Sequence, residues 1–280
     1  MIVKSQATGN AKIIFLFLAH DGIQNQDLWQ DFFSKTKTGR EFGLILFVNR
    51  EHHRKRVNNF FRQFLINSPL KKCEYGNIIP GYLVLMQEAI ARYPNLQQAY
   101  CIPGNCLPIR PVNWYAKELN QCEVCFDGLP KSKKKLEDYW NKRISKSGLV
   151  TYSNNYSMVR ETIDFMIKNK TELTRYQPVH GYYPDEFAMF TLLKYKDFEL
   201  FTKSLKPTFE FICYAEYVEE ENPTFGDRVS TCRAIEFGTV EEFQRALSLA
   251  MAGESTGFIR KISDGLKVAY SSAIGLHLLK

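Results

Sequence analysis

Three short, largely apolar runs in the first part of the chain predict buried β-strands. Each is too short for a typical helix and rich in β-forming residues, and they cover Ile13–Ala19, Leu44–Val48 and Gln98–Ile102. Two segments between them, Leu28–Phe33 and Tyr82–Arg92, carry apolar residues at helical spacing. This β-α-β-α-β order is typical of an α/β protein whose central sheet is mostly parallel and flanked by helices.

The second part of the chain is more polar and predicts mixed elements. Helical or alternating spacing predicts helices over residues 156–167, 185–193 and 240–251, and a strand over residues 209–217. Pro184 suits the first turn of the second of these helices. Residues 127–147 carry a lysine cluster and predict a surface excursion. Because the sequence has no internal repeat and no obvious linker, we expect a single domain over residues 1–280.

Polar side chains follow the three predicted strands of the first part at the points where the strands end. His20 and Asp21 follow the first strand, Asn49 follows the second, and Asn105 comes shortly after the third. Parallel sheets bind their ligands beyond the carboxyl ends of the strands. We therefore expect these side chains to contribute to a ligand site.

The formal charge of the chain is +7, which favours anionic ligands such as phosphates, nucleic acid or acidic membranes. Much of the excess is local, in the run from His52 to Arg56 and in the lysines of residues 131–135. No nucleic-acid-binding motif accompanies either run, so solvated surface segments are favoured over a nucleic-acid site. The aromatic content of 14% fits a well-filled core or the aromatic wall of a sugar-binding cleft, with the core favoured.

The seven cysteines predict neither a metal site nor a dense disulfide framework. Cys122 and Cys125 form a lone CxxC without two further ligands at metal-like spacing, while Cys101 and Cys106 flank a loop and could approach each other. We expect reduced thiols, no metal, no cofactor and a cytoplasmic location. No signal peptide or membrane span is predicted, because the longest early apolar run, Ile13–Ala19, is too short to cross a bilayer.

Two segments carry the residue types that a group transfer needs. Residues 183–187 place adjacent carboxylates after a proline, and residues 255–261 end in Arg260 and Lys261. A carboxylate can take a proton from a hydroxyl, and two cations can hold a diphosphate. Together these segments suggest a transferase that moves a sugar from a nucleotide donor and uses no metal.

The absence of several nucleotide-binding and catalytic motifs narrows the class of enzyme. The sequence contains no GxGxxG, no GxxxxGK[ST] and no kinase signature set. It also contains no DxD, the usual metal-and-diphosphate motif of nucleotide-sugar transferases. In a sugar transferase of this kind, lysine and arginine are the available groups for stabilising the leaving diphosphate.

The order of four stretches resembles glycosyltransferase family 14, which includes core-2/I-branching N-acetylglucosaminyltransferases and peptide O-xylosyltransferases. The stretches are Lys12–His20, the turn at Cys101–Ile109, Asn155–Glu161 followed by Pro184–Phe187, and Thr256–Lys261. The resemblance implies a GT-A nucleotide-sugar fold and an inverting transfer that needs no metal. It further implies a nucleotide-binding half over residues 1–110 and an acceptor- and diphosphate-binding half over residues 111–280.

The resemblance also implies roles for single residues. Glu186 would be the general base that deprotonates the acceptor hydroxyl, and Arg260 and Lys261 would contact the donor diphosphate. The other candidates would bind the uracil, ribose, sugar or diphosphate, and they are His20, Asp21, Asn49, Asn105 and Arg233. The family commonly has an acidic residue where this chain has Asn49.

The expected partners are a UDP-sugar donor, with xylose favoured and N-acetylglucosamine next, and a glycan or glycoprotein hydroxyl as acceptor. No nucleic-acid partner is expected. Without the anchor, stem and disulfides of cellular members, the chain suits a bacterium or a large DNA virus. We favour an enzyme of the chlorovirus xylosyltransferase type, acting on a capsid glycan in the host cytoplasm. The alternative is a non-catalytic carbohydrate- or anion-binding module on the same fold, which would not hydrolyse a donor.

Overall fold

The computed structural model defines the fold through most of the first 115 residues and through several segments of the rest. It describes residues 9–20, 22–34, 42–66, 73, 76–112, 114–115, 124–126, 156–177, 184–204, 210–212, 214–221, 228–235, 239–252 and 256–260. Within these ranges, no helix is both long and apolar enough to cross a membrane.

The strands are short, as expected for a globular α/β protein. In chain order they are β1 Ile13–Ala19, β2 Phe42–Val48, β3 Gln98–Pro103, β4 Cys106–Pro108, β5 Val124–Phe126, β6 Tyr156–Val159, β7 Glu210–Ile212, β8 Tyr214–Glu221, β9 Arg228–Ile235 and β10 Thr256–Arg260.

The helices range from single turns to a helix of 14 residues between β2 and β3. In chain order they are α1 Gln26–Ser34, α2 Glu51–Arg54, α3 Asn59–Arg62, α4 Ile79–Arg92, α5 Arg160–Lys168, α6 Lys170–Leu173, α7 Ala188–Lys196, α8 Phe198–Ser204 and α9 Val240–Ala252. A short 3-10 turn, Pro184–Glu186, precedes α7.

A five-stranded sheet in the order β2-β1-β3-β6-β5 forms the centre of the described fold. β1 pairs in parallel with β2 on one side and with β3 on the other. β6 runs antiparallel to both of its neighbours, so β6 alone of these strands opposes the common direction. The structure confirms the predicted α/β fold with a mostly parallel sheet and flanking helices.

β1 is buried along its whole length, and its side chains alternate between two apolar clusters. Phe15 and Phe17 belong to a cluster with Trp29 of α1, and the rings of Phe17 and Trp29 meet edge to face at 4.9 Å. Leu16 belongs to the other cluster, which contains Met86 of α4. Burying a large apolar side chain contributes about 1.5–3 kcal/mol. The helices on the two faces therefore make β1 the centre of the core.

Two smaller groups of strands lie outside the central sheet. β10 pairs with β4 in antiparallel fashion and with β7 in parallel, which gives a three-stranded sheet. β8 and β9 form an antiparallel hairpin. β4 follows β3 after a two-residue turn, so the small sheet begins next to the carboxyl end of β3.

Several predicted bounds change in the structure. Residues 156–167, predicted as one helix, are strand β6 followed by α5. Pairing with β3 overrides local helical spacing here, and Ser157 accepts a hydrogen bond of 3.0 Å from Gln98 Nε2. The helix predicted over 185–193 begins only at Ala188, after the 3-10 turn. The predicted surface excursion at residues 127–147 lies outside the described residues.

The strand predicted over residues 209–217 is confirmed as strand, but it belongs to two elements. β7 and β8 cover residues 210–212 and 214–221 and pair with different partners. Local sequence can predict that a segment is extended, but it does not show which sheet the strand joins.

We expect Gly43→Ala to lower the free energy of unfolding by about 1–3 kcal/mol, the usual cost of overpacking. A Cβ at this position of β2 would lie 2.4 Å from Ile14 Cδ1 and 2.5 Å from Tyr93 Cζ. Urea denaturation of the wild type and the variant measures the difference.

A double-mutant cycle with Tyr93→Leu identifies the cause, because that change removes the ring atoms nearest to the new methyl group. The cost of Gly43→Ala should be smaller in the Tyr93→Leu background. Strictly additive costs would contradict the steric explanation.

Candidate functional site

The carboxyl ends of β1, β2 and β3 lie side by side at one edge of the central sheet. Ala19 pairs with Val48, and Leu18 pairs with Pro103, so the residues that follow these strands are neighbours. β2 and β3 lie on opposite sides of β1, which makes this edge the point where the strand order reverses. Open α/β sheets bind ligands in the crevice at such a point.

The side chain of Asn49 binds two partners at this edge. Its Nδ2 donates to the carbonyl of Cys73 at 2.8 Å and lies 3.2 Å from Nδ1 of His20. Its Oδ1 accepts from the backbone N–H of Cys73 at 3.4 Å. The backbone N–H of Asn49 donates to Ala19 at 2.9 Å. Asn49 therefore connects the end of β2 to residue 73 and to the exposed ring of His20.

The loops after β1 and β3 are in direct backbone contact. The N–H of Gln24 donates to the carbonyl of Gly104 at 2.7 Å. A Cβ at Gly104 would lie 2.5 Å from the carbonyl oxygen of Gly22, and Gly22 itself has a φ of 101°. Both positions require glycine, one for close approach and the other for left-handed backbone. This contact fixes the loop after β1 against the loop after β3.

Asn105 lies in the turn that joins β3 to β4. Its Oδ1 is buried and has no hydrogen-bond partner among the described residues. The next carbonyl, that of Cys106, accepts a buried hydrogen bond of 2.8 Å from Nε1 of Trp29. A buried acceptor without a partner costs about 1–3 kcal/mol, so Asn105 presents an acceptor that a ligand or water group can satisfy.

The pairing of β10 with β4 brings the backbone of Arg260 to the same turn. Arg260 lies opposite Cys106, one residue from Asn105. β10 is held by its Gly257 carbonyl, which accepts from the N–H of Ile109 at 3.0 Å and from the hydroxyl of Tyr115. The side chain of Arg260 lies outside the described part of the structure.

The sequence predicts further site residues that the structure describes incompletely. Asp21 and Lys261 lie outside the described residues. Glu186 ends the 3-10 turn, with its side chain outside the described part. The backbone there is anchored by Phe187, which is fully buried and packs edge to face on Tyr176 at 5.7 Å.

Arg233 lies on β9, directly opposite Glu216 of β8. Its side chain is outside the described part, as for Glu186. The described contacts join His20 to Asn49 and place the Arg260 backbone next to the turn that carries Asn105, and none of them involves the side chain of Arg233.

The rim of the edge beyond β2 is positively charged. Arg50, Lys55 and Arg56 are exposed around the short helix α2, where Glu51 is the one exposed anion of that helix. Such a cluster raises the local concentration of anionic ligands. Within the described residues, no group of three or more His, Cys, Asp or Glu side chains could hold a metal ion.

Two residues of this edge were not predicted from the sequence. Trp29 belongs to a helix that was predicted for its apolar face, and only its buried N–H hints at a polar partner. Cys73 lies in a polar stretch with no periodic signal. Burial raises the pKa of its thiol from 9.0 to about 11, and a hydrogen bond with the Gly81 backbone opposes that shift.

The predicted approach of two other cysteines does not produce a disulfide. Cys101 and Cys106 are buried thiols, one on β3 and the other on β4. Cys73 is likewise a buried thiol. Cys122, which the sequence pairs with Cys125 in a CxxC, lies outside the described residues.

Comparisons with known proteins find similarity to solved structures but none to a family model or a curated protein. Among solved structures, the chain is similar to the crystal structure of a glycosyltransferase involved in the glycosylation of the major capsid of PBCV-1. The identity is 9% and the TM-score 0.40, over 94% of this chain and 98% of that chain.

We expect Asn49→Ala to make Cys73 more reactive towards iodoacetamide in the native protein, by about tenfold or more. In the wild type at about pH 8, the raised pKa keeps the thiolate fraction about a hundredfold below that of a thiol at its ordinary value. Loss of the Asn49 amide removes both hydrogen bonds to the Cys73 backbone and should expose the thiol. Peptide mass spectrometry after timed alkylation measures the rate at Cys73.

Asn58→Ala is the matched control. Asn58 also uses its side chain to hold backbone, because it caps α3 by accepting from the N–H of Phe61 at 3.0 Å, and none of its described hydrogen bonds involves Cys73. Equal alkylation rates at Cys73 in the wild type and Asn49→Ala would show that the amide does not hold this segment.

Proposed function

We propose that this protein is a glycosyltransferase that moves a sugar from a UDP-sugar to a hydroxyl of a glycan or glycoprotein. Xylose is the favoured sugar and N-acetylglucosamine the next. The observation that carries the proposal is the convergence of His20, Asn49, Asn105 and the Arg260 backbone at the carboxyl edge of the parallel sheet. Hydrogen-bonding side chains and an arginine segment meet there, at the place where such sheets bind nucleotides.

The chemistry of this edge suits an anionic, polyhydroxylated donor. The exposed cations Arg50, Lys55 and Arg56 favour a diphosphate at the rim. Asn105 offers an acceptor that a sugar hydroxyl can satisfy. Arg260 and Lys261 would hold the diphosphate through charge-assisted hydrogen bonds.

The proposed transfer is an inverting displacement at the sugar C1. Glu186 takes the proton from the acceptor hydroxyl as the acceptor oxygen forms its bond to C1. The bond between C1 and the phosphate oxygen breaks, and both of its electrons leave with UDP. Arg260 and Lys261 stabilise the charge that develops on that oxygen, which is the task a metal performs in other transferases.

The backbone around Glu186 supports its assignment as the base. Asp185 is only 4% exposed and Phe187 is fully buried, so both neighbours fix the turn on which Glu186 lies. A base held on a fixed backbone spends little free energy on orientation during the reaction.

We expect one UDP-sugar to raise the melting temperature and to be slowly hydrolysed to UDP, with no change on adding EDTA. Ligand binding to the native state stabilises it by mass action. The measurement is thermal shift and UDP release over a panel of nucleotide sugars, each with and without EDTA.

Binding without UDP release under any condition would favour the non-catalytic module, and loss of release with EDTA would contradict metal independence. No response to any nucleotide sugar would overturn the proposal.

We expect Glu186→Gln to lower the rate of transfer by about 10²–10⁴-fold and to leave UDP affinity nearly unchanged, because a general base acts on the acceptor. Glu161→Gln, at an exposed glutamate in the first turn of α5, is the matched control and should retain activity. The measurements are the turnover number with the donor found above and the Kd of UDP. Transfer close to the wild-type rate in Glu186→Gln would exclude this residue as the base.

A further inference from the structure

The amide of Asn49 has a defined orientation, because the Cys73 backbone offers it one donor and one acceptor. Oδ1 accepts from the N–H of Cys73 at 3.4 Å, while Nδ2 donates to the carbonyl of Cys73 at 2.8 Å. Flipping the amide would set Oδ1 against the carbonyl oxygen and Nδ2 against the N–H, and both hydrogen bonds would be lost. The network therefore assigns Nδ2 to the side that also faces His20.

This orientation determines the protonation pattern of the His20 ring. Nδ2 of Asn49 can only donate, and it lies 3.2 Å from Nδ1 of His20. Its two hydrogens serve the Cys73 carbonyl and the imidazole. Nδ1 must then be the acceptor, so the neutral ring carries its proton on Nε2.

We infer that Asn49 is a positioning residue that holds His20 in the Nε2–H tautomer, so that His20 donates a hydrogen bond to an acceptor oxygen of the bound nucleotide. His20 is exposed at the carboxyl end of β1, beside the reversal of strand order. Uracil carbonyl and phosphate oxygens share the chemistry that such a donor recognises. The part of this inference that concerns the nucleotide rests on the proposed function, whereas the tautomer does not.

The choice of asparagine over a carboxylate follows from the same contacts. A carboxylate at position 49 could still accept from the N–H of Cys73, but it would face the Cys73 carbonyl with a second acceptor. Towards His20 it could only accept, which would draw a proton to Nδ1. In Asn49→Asp, the proton of the neutral His20 ring should therefore lie on Nδ1 instead of Nε2.

The test of the tautomer is a long-range proton–nitrogen NMR spectrum of protein with ¹⁵N-labelled histidine, at about pH 8, where an ordinary histidine is neutral. His20→Gln identifies the signals of His20 by their disappearance. We expect an unprotonated Nδ1 and a protonated Nε2 in the wild type, a mixture of tautomers in Asn49→Ala, and a protonated Nδ1 in Asn49→Asp. Asn58→Ala serves as the control and should leave the His20 signals unchanged.

A wild-type spectrum with the proton on Nδ1 would overturn the inference, whatever the variants do. An Nε2–H tautomer that persists unchanged in Asn49→Ala would also overturn it, because the ring would then be held by other groups. If Asn49→Ala does not fold, Asn49→Asp and the wild-type spectrum decide the question.

The nucleotide arm uses UDP as the probe and calorimetry as the measurement. We expect His20→Phe to weaken UDP binding about tenfold, through loss of one hydrogen bond to the nucleotide. His20→Gln, whose amide N–H reaches the position of Nε2, should stay within a few-fold of the wild type, while His20→Asn, which reaches only the position of Nδ1, should not. Equal UDP affinity in His20→Phe and the wild type would overturn the role of His20. No UDP binding by the wild type would instead defeat the proposed function, and the tautomer would still be tested by NMR.

Discussion

The parallel pairing of β1 with both β2 and β3 is the constraint on which the rest of the described structure depends. Every residue of β1 is buried, and its side chains alternate between two apolar clusters that contain α1 and α4. Because strand side chains alternate, a shift of one residue would exchange the two sets and disrupt both faces at once. The register is therefore fixed by packing, and it places the three carboxyl ends at one edge.

The same register makes the candidate site an extension of the core. His20 directly follows β1 and Asn49 directly follows β2, and each strand is fully buried up to that point. The turn that carries Asn105 is fixed by Trp29, which itself belongs to the core cluster on one face. Polar groups at this edge therefore have little freedom, which is what precise hydrogen bonding to a ligand requires.

Much of this edge could be predicted from the sequence, because continuous apolar runs and helical spacing are strong local signals. β1 has the predicted bounds, and His20 and Asn49, which follow β1 and β2, are in contact. Local spacing could not show that Tyr156–Val159 pairs with β3, since that pairing joins positions far apart in the chain. The spacing of apolar residues also could not show that Asn49 binds the backbone of Cys73. Cys73 lies outside the helices and strands, so no hydrophobic periodicity marks its position.

The hydrogen-bonding side chains in the described part of the site include an asparagine at the end of β2, and the choice of an amide there has a physical consequence. His20, Asn49 and Asn105 are not acidic, and the exposed cations Arg50, Lys55 and Arg56 lie next to α2, beyond the end of β2. A carboxylate in the place of Asn49 would add a negative charge and could not donate to the Cys73 carbonyl or to His20. Asparagine keeps the hydrogen bonds that hold residue 73 and orient His20 without adding that charge. The identity of residue 49 thus links the position of residue 73 to the orientation of the His20 ring.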